Sequence, residues 1–108
     1  MTKSDLQDLQ QDYKIQINHN MVTLYHATTT ENAQNIINSQ SMYGKENGLF
    51  FSTIPNGQIA GYGKAIVEVS IPYWKLELDD QFNNELHFRI PCKPFIKYSI
   101  NAKLYKKK

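Results

Sequence analysis

Leu24-Tyr25-His26-Ala27-Thr28 is the stretch that decides how this chain reads. The apolar run Val22 to Tyr25 carries the β-branched and aromatic residues that suit a pleated, packed surface, which predicts a buried strand from Val22 to His26. The run stops abruptly in a histidine, a small residue and a hydroxyl. A histidine at such a strand end lies where a sheet opens toward a cleft. Thr28-Thr29-Thr30-Glu31 then reads as a helix start. Thr28 and Glu31 have the spacing of a capping box, and Thr29 or Thr30 serves equally well as the cap. A strand that hands His and Thr to a helix N-terminus is a place to hold a polar ligand.

Downstream, Thr30 to Ser39 is predicted helical, with Ala33, Ile36 and Ile37 as its apolar stripe. Ser41 to Gly48 reads as a polar loop, and Leu49 to Thr53 as an apolar strand ending in the hydroxyls Ser52 and Thr53. Pro55-Asn56-Gly57 marks a turn, and Gln58 to Tyr62 one helical turn set among glycines. Ala65 to Ile71 alternates as a strand does and ends at Pro72. Alternation also puts Trp74, Leu76 and Leu78 on one face, with Asp79-Asp80 opening a polar loop. Glu85 to Ile90 is a strand closed by Pro91, and Phe95 to Tyr105 supplies the last one. Upstream, Ser4 caps a helix running to Tyr13, Ile15 and Ile17 mark a brief strand, and Asn18-His19-Asn20 a turn. Strand, helix, then several strands with short connections is the pattern of an α+β domain with a mostly antiparallel sheet.

A length of 108 residues fits one domain with a modest core, with residues 1–20 as a helix-strand extension and 103–108 as a basic tail. A hydrophobic fraction of 41% with 12% aromatics excludes a disordered chain. Net charge is only +2, and much of the excess lies in Lys103, Lys106, Lys107 and Lys108, which read as a solvated end rather than a nucleic-acid arm. Arg89 is the only arginine, a poor endowment for bidentate phosphate recognition. With Cys92 alone, no intramolecular disulfide or cysteine zinc site is expected, and the thiol reads as structural. No signal peptide or membrane-length apolar run is visible, so a cytoplasmic setting is the expectation.

His26, Tyr62 and Glu85 stand out chemically, each polar and each at the edge of an apolar element. His26 fits either a core histidine with satisfied bonds or a ligand that orients a ribose hydroxyl with one ring nitrogen while the backbone fixes the other. Tyr62, between Gly61 and Gly63, packs over the sheet or offers an exposed ring for a flat heterocycle. Alternation puts Glu85, His87 and Arg89 on one strand face, either plainly solvated or one wall of a cleft with Glu85 at its mouth.

Taken together and in order, these segments resemble the ADP-ribosyltransferase superfamily, in its histidine–tyrosine–glutamate branch of poly(ADP-ribose) polymerase-like and diphtheria-toxin-like enzymes. Leu24-Tyr25-His26-Ala27-Thr28 resembles the first-strand motif, Gly48 to Thr53 the next strand, Ala60-Gly61-Tyr62-Gly63 the element bearing the stacking tyrosine, and Asn84-Glu85-Leu86-His87 the strand start with the catalytic glutamate. The likeness runs from Leu24 to Pro91. It implies a compact domain with a split antiparallel sheet, no metal, and NAD as co-substrate, held by His26, Ala27, Thr28, Phe51, Ser52 and Tyr62. His26 would bind a ribose, the Ala27 backbone would clasp the nicotinamide amide, Tyr62 would stack on the nicotinamide, and Glu85 would hold the ribose 2′-hydroxyl and stabilise the transition state. Asn83, His87 and Arg89 are the candidates for acceptor contact.

Departures from the pattern carry information too. Ala27 stands where the branch usually has Gly. Asn83 stands where arginine-modifying relatives tend to carry Glu or Gln, so arginine modification is not indicated. RNA 2′-phosphotransferases of the same superfamily use several arginines, which this chain lacks. The implied activity is mono-ADP-ribosylation of a macromolecule, protein before nucleic acid, in the manner of bacterial or phage effectors. A non-catalytic module acting by contact and an NAD glycohydrolase are the alternatives.

Overall fold

In the computed structural model, which describes residues 1–106, the chain doubles back at His19 and Asn20. Both have positive φ, 50° and 66°, as a two-residue type I′ hairpin requires. The turn joins β1 (Gln16–Asn18) to β2 (Met21–Thr28). Ahead of it lies α1 (Lys3–Gln10). Its cap is Thr2 rather than Ser4, because Thr2 and Asp5 exchange the two hydrogen bonds of a capping box at 3.1 and 3.2 Å. The helix ends short of Tyr13, and of its residues Leu6 alone is buried.

Beyond β2, Thr29 caps α2 (Thr30–Ser39) by accepting from the Asn32 amide at 3.1 Å, which settles the choice among the three threonines. Thr28 accepts from the Asn32 side chain instead, at 2.8 Å. Ala33 and Ile36 face the core. The helix stops at Gln40 in the left-handed region, φ 51°. The Gln40 side chain then meets the last strand of the chain, accepting from the Ala102 N–H at 2.9 Å and donating to the Ala102 carbonyl at 2.8 Å.

Residues expected to loop from Ser41 instead begin with β3 (Ser41–Tyr43). Ser41 and Met42 are buried, and the strand's partner comes from the far end of the chain, so a three-residue window gave no periodicity to detect. β4 (Leu49–Ser52) and β5 (Ala65–Pro72) follow as expected, separated by a 3-10 turn at Gln58–Tyr62. A second 3-10 turn, Tyr73–Lys75, breaks the alternation predicted for Trp74 to Leu78: Leu76 is buried, while Trp74 is 58% exposed. Asp79 and Asp80 lie inside β6 (Glu77–Gln81), not in a loop, at a register irregularity between Leu78 and Asp80. β7 (Leu86–Ile90) begins just after Glu85. The last predicted strand is two, β8 (Lys97–Ser99) and β9 (Asn101–Leu104), which join different sheets on either side of buried Ile100. Of the basic tail, Lys107 and Lys108 lie outside the described residues.

This is a compact α+β architecture with a Cα radius of gyration of 13.0 Å, near the value of about 13 Å expected for a domain of about 100 residues. The main sheet runs β6-β7-β4-β2-β5-β9 with β1 also on β2, and β3 pairs with β8 apart from it. Every pairing is antiparallel. Phe51, Phe88, Leu24, Leu76, Leu86, Val22, Val67 and Val69 form the fully buried centre. Half-buried Cys92 packs at its border, and burial pushes its thiol up from the ordinary value. No helix among the described residues is long and apolar enough to cross a membrane.

What positions the site is the uneven treatment of β2. One edge pairs with β5 through eight consecutive residues, Met21 to Thr28. The other edge carries β1 beside Met21 to Thr23 and then touches β4 at one register pair, Tyr25 with Ser52. Past that pair the two strands part.

Candidate active site

His26 occupies the point of parting. With β4 no longer alongside as a ladder partner, the Phe50 carbonyl is taken by the His26 side chain, Nδ1 at 2.9 Å. A carbonyl accepts only, so Nδ1 carries the hydrogen and the neutral ring presents its Nε2 lone pair. Burial pushes the imidazole below its ordinary value. The bond to Phe50 opposes that shift, and the charge of Lys45 adds to it. The ring is therefore neutral near pH 7. Among the described residues Nε2 has no protein partner and no buried side-chain nitrogen or oxygen lacks one, so Nε2 reaches open space.

That space is a cleft of about 850 Å³ lined by His26, Ala27 and Thr28 from β2, Asn32 from α2, Tyr43 and Lys45 near β3, Phe50 and Phe51 from β4, and His87 from β7. Gln58, Ile59 and Tyr62 close it on one side, and Asp79, Asp80 and Phe82 on another. Its size falls within the roughly 300–1,000 Å³ of small-molecule and cofactor sites.

Glu85 is not at the mouth of this cleft but behind its wall, 2% exposed. Its Oε2 accepts from Ser52 Oγ at 2.7 Å and from His87 Nε2 at 3.2 Å, and its Oε1 accepts from the Gln58 N–H at 2.8 Å. Burial alone would raise the carboxyl, but the bonds from Ser52, Gln58 and His87 outweigh it and leave the group below its ordinary value. A buried, ionised carboxylate with three donors is the physical content of the arrangement. Ser52 and Thr53 explain why the strand end carries two hydroxyls. Ser52 holds Glu85, and Thr53 accepts from the Leu86 N–H at 3.0 Å, so together they fasten the start of β7.

Gly57 makes the cover over Glu85 feasible. A Cβ at this position would collide with the Glu85 carboxylate, so a larger residue would push that group off the hydrogen bonds that hold it. At the other end of the same segment a Cβ on Gly63 would collide with the Thr28 carbonyl. Residues 57–63 thus run tightly from the carboxylate to the end of β2, carrying Tyr62 between them at 78% exposure.

His26, Ala27, Thr28, Phe51, Tyr62 and His87 line one cleft, with Glu85 and fully buried Ser52 one layer behind. Arg89 points elsewhere: its guanidinium bonds Glu77 at 2.9 and 3.2 Å and the Asn47 carbonyl at 3.1 Å. Exposed Asn83 does not line the cleft. Sequence reasoning missed Lys45, Asp79, Asp80 and the Gln58 amide. The first three were read as loop residues, and the fourth is a backbone group that no side-chain motif announces. No protein-family model, no curated protein and no solved structure matches the chain.

Proposed function

We propose that the cleft binds NAD and that the protein transfers ADP-ribose to a macromolecular acceptor. The observation that carries this reading is the pairing of a tautomer-fixed, neutral His26 with an ionised, triply bonded Glu85 beside one cleft. His26 Nε2 accepts a ribose hydroxyl. The backbone at Ala27, on the edge of β2 that β4 leaves, takes the nicotinamide amide. Tyr62 stacks on the nicotinamide ring, and Lys45 faces the diphosphate. Cleavage of the nicotinamide–ribose bond builds positive charge on the ribose, as in other glycosyl cleavages. A fixed carboxylate beside that charge lowers the barrier. For direct contact, the ribose 2′-hydroxyl displaces the Gln58 N–H from Oε1, so the 57–63 segment must lift on binding.

Labelled NAD offered with a cell lysate tests this reading. Label on a macromolecule, reduced on the order of 100-fold by Glu85→Gln, is the expected result. A second reading, a module that keeps the cleft and acts on a partner by contact alone, is favoured by the 2% exposure of Glu85. It is supported instead if wild type gives neither label nor free nicotinamide.

A further inference from the structure

His87 shares Glu85 with Ser52 and is held more firmly than a surface histidine. Its register partners are Ser52 on β4 and Asp80 on β6. The Phe82 ring packs against it at 4.7 Å between centroids. Because the Glu85 carboxylate can only accept, Nε2 carries a hydrogen, and in the neutral ring Nδ1 is the lone pair. Among the described residues Nδ1 has no protein partner. Since no buried side-chain nitrogen among the described residues is unpartnered, Nδ1 is open, on a side chain 18% exposed that lines the cleft. A buried carboxylate, an imidazole oriented by it and an open ring nitrogen together form the carboxylate–histidine half of a nucleophile-activating constellation.

We infer that His87 is the base that activates the acceptor, and that the acceptor is a hydroxyl on a protein side chain; the inference rests on the NAD reading above. As the bond between ribose C1′ and the nicotinamide nitrogen breaks, its electron pair leaves with nicotinamide. The acceptor oxygen forms the new bond to C1′, and its proton passes to His87 Nδ1 and then to water. Glu85 remains ionised throughout and stabilises the imidazolium. An imidazole is matched to this task and not to a guanidinium, which stays protonated far above neutral pH. Charge selects the macromolecule. Asp79 and Asp80 are consecutive yet both line the cleft at the β6 irregularity, and neither is in an ion pair among the described residues. Bulges re-aim side chains in this way. Lys45 offsets the charge of the diphosphate, whereas at the base the two carboxylates disfavour a polyanionic acceptor and suit a hydroxyl flanked by lysines.

The test compares wild type with His87→Gln, whose side-chain amide still donates toward Glu85 but cannot take a proton. The probes are a lysine-flanked serine peptide, agmatine as a guanidinium, and a single-stranded oligonucleotide, each with labelled NAD. Expected are label on the serine peptide alone and a loss on the order of 100-fold in His87→Gln with the KM for NAD unchanged. Unchanged transfer by His87→Gln, or label on agmatine or the oligonucleotide instead, overturns the assignment and leaves NAD turnover standing. No nicotinamide from wild type with any probe overturns the NAD reading and this step with it. Nitrogen NMR of the ring is a readout independent of turnover: the Nε2–H tautomer is expected, and an Nδ1–H tautomer rules His87 out as the base.

Discussion

The two edges of β2 have opposite fates. Toward β5 the strand is laddered over eight residues, with Val67, Val69 and Ile71 buried opposite Leu24 and its neighbours. Toward β4 it keeps one register pair and then opens, and the vacated carbonyl is claimed by a side chain. The same strand is therefore structural along one edge and chemical along the other. β5 still ladders His26, Ala27 and Thr28, and it is only on the β4 side that these three residues are left without a neighbouring strand.

Substitutions on each edge test this division. The largest effect belongs to the closed side. Leu24→Ala empties a fully buried position and is expected to cost about 2–5 kcal/mol in urea unfolding. On the open side, Glu85→Gln should lower NAD turnover on the order of 100-fold while still unfolding cooperatively, at a midpoint between those of wild type and Leu24→Ala, because the neutral amide meets the donors of Ser52, Gln58 and His87 less well. A variant that unfolds at the Leu24→Ala midpoint would make Glu85 as structural as the ladder, and the contrast would fail.

Acid offers an intermediate test. His26 and Glu85 both have folded pKa values below their ordinary values of 6.5 and 4.5. In each case the unfolded chain binds a proton first as pH falls, so stability declines in two windows, below about 6.5 for His26 and below about 4.5 for Glu85. His26→Gln should remove the upper window and leave the lower one. An unchanged upper window would mean that the ring is not held neutral at the parting of the strands.

Tyr62, at the cleft's edge, should give the smallest effect. Tyr62→Ala is expected to weaken NAD binding by about 0.5–1.5 kcal/mol and Tyr62→Phe by much less, since the ring face carries the contact. Equal losses by calorimetry would assign the contact to the hydroxyl.

Elements whose signals are local were legible in the sequence. The α2 helix and β5 have caps, periodicity or a terminating proline within their own span, and their ranges agree closely with expectation. The helical turn ending at Tyr62 was equally local, while the choice between a packed and an exposed tyrosine was left open and falls to the exposed one. What escaped depends on distant partners. β3 is a strand because β8 comes to meet it from more than fifty residues away. Alternation placed Glu85 on the correct strand face, yet its depth is set by Gly57, which reads in sequence as nothing more than the end of a Pro-Asn-Gly turn. Arg89 looked available and is committed to Glu77 and Asn47, contacts made through β6 and the turn before β4. Local pattern thus brought His26, Tyr62 and His87 to the cleft, and tertiary contacts decided which charged groups face into it.

Gln40 has a consequence for how the molecule behaves in company. β9 is the last strand of the main sheet, and its outward backbone groups would ordinarily be a template for another chain. The Gln40 amide meets both the N–H and the carbonyl of Ala102, matching donor to acceptor as a neighbouring strand would. One side chain, delivered by the left-handed end of α2, occupies the middle of a four-residue edge and leaves too little free ladder for a second copy to extend. Protection of the β9 edge of the sheet is in this way built into the stop signal of a helix.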